Sequence, residues 1–289
     1  MGALQRAGSR WQTTWRRLRR RHGWLDHTVR AAQRYAEVRA DRLAAALAYY
    51  AFFAAFALAG IGFAVLGWVL RRNAVVTGLV QDWVNANLPP MDITTLAEAA
   101  TGIGVIAFAG LLVTGWRWVD GMRGAVRRIW LLDEEPGRFL VRVGLDLAVL
   151  ASLGLLLVVS IGVAAGVPAA IRWTVVEGVG LQGGPVRPGI SVLGFGVGLA
   201  VNTVLAMALL TGLPRLRLPV HRLWGPALLV ALGLELLKTV GRLYFEQSMA
   251  NPAYQAVASA VGLLLFLYLF NQLVLFAAAL TATRQQPVG

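Results

Sequence analysis

Cysteine is missing from all 289 residues. Its absence excludes disulfides, thiolate zinc sites and cysteine nucleophiles, and it leaves the redox compartment unread. Histidine is nearly missing too. His22, His27 and His221 make up the whole set, and none stands in an H-E-x-x-H motif. No G-x-x-x-x-G-K-[ST] run occurs, so the common nucleotide-hydrolysis loop is excluded. No G-x-S-x-G elbow occurs either. A metal-dependent nuclease needs two or three converging carboxylates. The densest acidic run, Asp133-Glu134-Glu135, precedes Pro136-Gly137 and has the chemistry of a solvated turn. The expectation is a chain with no catalytic residue, no metal and no cofactor, and therefore not an enzyme.

Charge is also scarce. Only 14% of residues are charged, against 57% hydrophobic, and the mean hydropathy is +0.63. A soluble domain carries about a quarter charged residues. What fills the chain instead is a series of long uncharged runs, each near the roughly 20 apolar residues needed to cross a bilayer. They predict an all-α integral membrane protein: a bundle of six transmembrane helices at about 43–70, 99–116, 140–170, 189–213, 224–244 and 253–283. A basic cytoplasmic amphipathic arm (1–42) precedes the bundle and a short tail (285–289) follows it. Between the first two spans, Val76, Leu79, Val80, Trp83 and Val84 recur at helical spacing before Leu88-Pro89-Pro90. They predict a short amphipathic helix at the outer surface.

The formal charge is +13. In a soluble protein that would point to nucleic acid. In a membrane protein it reports orientation, because Lys and Arg collect in cytoplasmic loops, and no nucleic acid partner is expected. Of the 27 basic residues, 21 fall in the arm, the loop after span two with Arg142, the loop after span four, and the tail. The other six are Arg71, Arg72, Arg172, Arg187, Lys238 and Arg242. This asymmetry predicts that both termini are cytoplasmic. The arm has no apolar core of a cleavable signal, so the first span is expected to serve as the targeting signal.

Within the arm, Arg16, Arg17, Arg19, Arg20 and Arg21 are the densest cluster, and Trp11, Trp15, Leu18, Leu25 and Val29 recur with helical period. An apolar stripe edged by arginine suits a helix lying on anionic lipid headgroups. A solvated basic tail with a short helix is the plainer alternative.

Polar residues inside the spans are the more informative group. An ionised side chain at the bilayer centre costs about 2.5–3.5 kcal/mol on insertion scales, so it faces protein or water. Glu235 and Lys238 are three apart on span five and share a helix face. Asp146 lies four after Arg142 on span three. Asn202 lies in span four, and Asn271 and Gln272 in span six. Together these six residues can line a substrate pathway. Alternatively they are local ion pairs and interhelical hydrogen bonds that fix packing. Small residues at four-residue spacing, Gly60 with Ala64 and Gly194 with Gly198, predict close helix approach without specifying function.

Several segments, taken in order, resemble the YihY/BrkB family of bacterial inner-membrane proteins, and within it the YhjD-type branch. The first is Asp41-Arg42-Leu43-Ala44-Ala45-Ala46-Leu47-Ala48-Tyr49-Tyr50. Next come Arg123 to Trp130, Leu213-Pro214 followed by Trp224-Gly225-Pro226-Ala227, and Leu267-Tyr268-Leu269-Phe270-Asn271-Gln272 ahead of Ala277 to Ala282. The resemblance runs from about Asp41 to Arg284. It implies six spans with both termini inside. It also implies a transport or flippase role, since members have been linked to serum resistance and to export of lipopolysaccharide precursors. The family's older label, ribonuclease BN, finds no catalytic residues here. Many members carry a Glu near the end of the last span where this chain has Ala279. If that acid serves transport in relatives, its role is lost here or moved, with Glu235 the candidate. The expected function is therefore a transporter or flippase of an amphipathic, anionic, lipid-like substrate. A non-transporting scaffold that binds lipid or a partner protein is the second reading, and a ribonuclease the last. Homo-oligomerisation is compatible with all three.

Overall fold

The computed structural model describes residues 23–73, 77–78, 93–134, 138–172, 186–214, 219–248 and 252–284. Among these, seven helices and no strand occur: α1 (Gly23–Glu37), α2 (Ala40–Arg72), α3 (Ile93–Ile129), α4 (Phe139–Arg172), α5 (Val186–Thr211), α6 (Val220–Ser248) and α7 (Pro252–Thr283). Five apolar stretches are long enough to cross hydrocarbon: Ala40–Arg72, Gly102–Ile129, Phe139–Leu156, His221–Tyr244 and Val257–Thr283. In α5 the described apolar stretch, Phe195–Thr211, is shorter. The Arg16–Arg21 cluster, the Trp11 and Trp15 stripe, the apolar residues Val76, Leu79, Val80, Trp83 and Val84, and the 285–289 tail lie outside the described residues.

Outward surfaces explain why these helices need a lipid solvent. Ile106 on α3 is 76% exposed and Leu140 on α4 is 81% exposed, with Val105, Val158, Leu236 and Val261 also turned out. An apolar surface of this extent is not sustained by a monomer in water.

Span two does not stop at Trp116. The helix continues unbroken to Ile129, because Val119, Met122, Val126 and Ile129 recur at helical spacing and all are buried. The basic residues Arg117 to Arg128 therefore stand on a helix. Beyond it the chain turns at Leu131, in the left-handed region (φ 55°). The acidic turn folds back on the helix end: Arg128 Nε donates to Glu134 Oε1 at 2.7 Å. Arg127 Nη1 reaches the Pro214 carbonyl at the end of α5, at 3.1 Å.

The core gathers at one end of the bundle. Ala40, Ala44 and Leu47 from the start of α2 meet Val119 to Ile129 from the end of α3. Ala206 to Leu213 close from α5, Leu223 to Val230 from α6, and Val274 to Leu280 from α7. In an antiparallel succession these segments share one membrane face, the arginine-rich one.

Helix α1 packs there on α7. Ala31 is fully buried, and the Tyr35 and Phe276 rings meet edge to face at 6.1 Å. Burial, then Tyr268 and Asp41, push the Tyr35 phenol up to about 12. His27 Nε2 donates to the Leu280 carbonyl at 2.8 Å. That carbonyl belongs to the last helical turn, which lacks intrahelical backbone donors, so His27, together with Thr283 Oγ1 at 3.5 Å, caps α7. Arg39, at φ 52°, makes the left-handed joint between α1 and α2.

A second feature holds α2 to α3 along the span. A Cβ at Gly60 would lie 2.8 Å from Ala107 Cβ, and one at Gly104 would lie 2.6 Å from Ala64 Cβ. The small residues face each other reciprocally, and the two backbones approach as closely as such spacing permits.

Candidate functional site

The six polar residues of the spans do not converge on one point. They fall into three groups, each set by the helices that carry it.

The first group joins α5 and α6. Glu235 Oε1 accepts from Lys238 Nζ at 2.7 Å on its own helix and from Asn202 Nδ2 at 2.6 Å across the interface. A three-residue step on a helix makes the first contact. The approach of α5 to α6 makes the second, with Gly198 beside the carboxylate: a Cβ there would lie 3.7 Å from Glu235 Oε1, in ordinary van der Waals contact. The Lys238 side chain is 47% exposed and that of Glu235 21%. The group sits where the buried core ends on α6, after Val230 and Ala231.

The second group joins α3 and α7. Asn271 is fully buried. Its Oδ1 accepts from Trp118 Nε1 at 3.2 Å, and its Nδ2 donates to the Leu267 carbonyl at 2.7 Å. The next residue, Gln272, is half-buried. About 100° of helical turn separates it from Asn271.

The third group joins α3 and α4. Arg123 Nη1 donates to both oxygens of Asp146, at 2.7 and 2.5 Å, and Arg123 Nη2 contacts Asp120. Arg123 and Asp146 are each 1% exposed. Spacing alone pairs Asp146 with Arg142. Its carboxylate accepts both bonds from the guanidinium of Arg123 on the preceding helix, and the Arg142 guanidinium stands 5.6 Å from the centre of the Phe139 ring. Neither Arg123, Asp120 nor Trp118 is singled out by the sequence pattern. The three-residue step from Asp120 to Arg123 was the one available signal.

These geometries do different chemistry. The Arg123–Asp146 pair is closed, bidentate and dry, which suits holding two helices in register. The Glu235 group keeps a cation half exposed at membrane depth, where an anion can meet it. Ala279, where the family resemblance leads one to expect an acid, is fully buried. Among the described residues no group of three or more His, Asp or Glu is placed to hold a metal ion.

Comparison with known proteins settles the lineage. The sequence model of the family described as virulence factor BrkB matches residues 31–288. The chain belongs to the BrkB family. It is 27% identical over 284 residues to an uncharacterized protein of Dickeya dadantii (strain 3937), covering 90% of this chain and 86% of that one. It is 25% identical over 275 residues to the inner membrane protein YhjD of Escherichia coli (strain K12), covering 90% of this chain and 81% of YhjD. No solved structure matches. As a BrkB-family membrane protein, the chain has its apolar helices and their order within the matched region, whereas most of α1, Gly23 to Arg30, lies before it.

Proposed function

We propose that this BrkB-family protein is a bacterial inner-membrane transporter or flippase, without enzymatic activity, that moves an amphipathic, anionic, lipid-like substrate past Glu235, Lys238 and Asn202. In this reading α5 also crosses the membrane, as the fourth of six spans, and both termini are cytoplasmic, in keeping with the arginine asymmetry and with YhjD being named an inner membrane protein.

One observation carries the reading. Lys238 is half exposed within an apolar span while its partner Glu235 is held from α5 by Asn202. An ammonium at that depth is costly unless it meets water or an anion, and a purely structural pair would be more stable enclosed. The buried core lies on the arginine-rich side of the group, and α6 and α7 turn Leu236, Val240, Val257 and Val261 outward on the other side.

Reconstitution into proteoliposomes with a fluorescent anionic phospholipid tests this. The expected result is translocation that falls at least tenfold in Glu235→Ala and in Lys238→Ala. Unchanged rates in both variants would remove this group from the path. The scaffold reading has its own support, since Asp146 and Asn271 are buried and bonded in ways that fix helices. It predicts no translocation by the wild type.

A further inference from the structure

A cavity of about 520 Å³ opens at the arginine-rich end, where α1, the start of α6 and the end of α7 meet. Its volume lies within the roughly 300–1,000 Å³ range of small-ligand sites. None of the three polar groups described above lines it, and no carboxylate does. Its walls are of two kinds. Trp24, Pro226 and Leu229 are apolar. Arg30 and Arg284 supply nitrogen donors, and His27 adds a polar ring.

The basic side chains are positioned rather than trailing. Pro226 lacks an N–H, so the Arg222 carbonyl has no donor four residues on. Arg284 Nη1 reaches that carbonyl at 3.4 Å, which draws the guanidinium over the start of α6. Arg30 is steadied from its own helix by Asp26, at 3.3 Å from its Nε. His27 spends its Nε2 proton on the Leu280 carbonyl, which fixes the ring at the wall. Trp24 stands 66% exposed, an indole beside arginine at the end of two apolar spans. That is the depth of lipid headgroups, where amphipathic rings are enriched.

We propose that this cavity is a binding site for the phosphate of an anionic phospholipid headgroup, with Arg30 and Arg284 on the phosphate and the lipid's upper acyl chain along Trp24, Pro226 and Leu229. Two guanidiniums suit phosphate oxygens, which they bond in forked pairs. Basic pockets between spans on this side of a membrane are suited to such headgroups. The apolar wall selects an amphiphile over a free anion. The site is independent of the Glu235 group: a protein that transports nothing can still hold this lipid.

Native mass spectrometry of the full chain in detergent, titrated with phosphatidylglycerol or phosphatidylcholine of the same acyl chains, tests the site. Wild type is expected to retain one phosphatidylglycerol at least tenfold more tightly than phosphatidylcholine. The Arg30→Gln/Arg284→Gln double variant is expected to lose that preference. Arg117→Gln, an exposed arginine on α3, is expected to keep it. Arg284→Gln alone, which removes only one long contact to a carbonyl, is expected to weaken retention at least threefold. It serves as the deciding variant if the double variant does not fold. Equal retention of the two lipids by wild type would overturn the proposal, as would undiminished retention in the deciding variant. Displacement of phosphatidylglycerol by millimolar inorganic phosphate would overturn the lipid assignment in favour of a free-phosphate site.

Discussion

At the arginine-rich end, segments of five long helices and α1 meet in one buried cluster, with a bidentate ion pair sealed inside it. Towards the opposite end, α6 beyond Ala231 and α7 before Asn271 turn Leu232, Leu236, Val240, Val261 and Leu265 outward, and α2 with α3 keep the small-residue seam. Both regions hold ions at membrane depth, yet they handle them oppositely. Arg123 is enclosed with two carboxylates, whereas Lys238 shares one carboxylate and stays half exposed. The difference teaches that an intramembrane charge is not one kind of signal. Enclosure of a guanidinium between carboxylates serves architecture, and incomplete enclosure is what the proposed transport path needs.

The largest test of this contrast is Asp146→Ala. It leaves Arg123 buried with only the partly exposed Asp120, and breaking a buried pair costs about 3–5 kcal/mol. Thermal unfolding in detergent should shift steeply downward. Replacing both partners, Arg123→Met with Asp146→Leu, should recover much of the loss. A single variant that melts like wild type would break the architectural reading of that pair.

Next in size is Gly60→Leu. Its side chain meets Ala107 at a distance that no Cβ tolerates, and overpacking of this kind costs about 1–3 kcal/mol. The same substitution at Gly62, where an added Cβ finds open space, should leave the melting temperature almost unchanged.

Lys238→Ala sharpens the comparison from the other side. A half-exposed pair contributes about 0–1 kcal/mol to stability, so melting should barely move while translocation falls at least tenfold. A large melting shift without a change in transport would reverse the assignment of the two regions.

The smallest expected effect is Asn271→Leu. It removes the Trp118 bond between α3 and α7, and interhelical hydrogen bonds in membranes average about 0.6 kcal/mol. Tryptophan fluorescence should report the change at Trp118 before stability does.

Helices were legible where hydropathy alone decides. Runs such as Leu43–Leu70 and Ala253–Thr283 can only be solvated by lipid, and the structure makes helices of both. The buried continuation of α3 beyond Trp116 follows the helical recurrence of Val119, Val126 and Ile129 in the sequence. Partnership was not legible in the same way. Nothing in sequence order says that Asp146 meets Arg123, because that contact belongs to the approach of α4 to α3. Glu235 with Lys238 was legible, since helical spacing forces it, but Asn202 as the third member depends on how α5 meets α6. The basic cavity was invisible because its members are up to 261 positions apart, from Gly23 to Arg284.

The cap on α7 sets a schedule for biosynthesis. His27 and the carbonyl it caps are separated by 253 residues. At about 5–20 residues per second, α1 waits roughly 13–50 s for its docking surface to leave the ribosome. During that interval every intervening span must enter the bilayer without the clasp that later locks the molecule. A chain truncated ahead of Leu280 should therefore insert its early spans normally and leave α1 open to protease, so that a cut near Arg39 would report whether translation had finished.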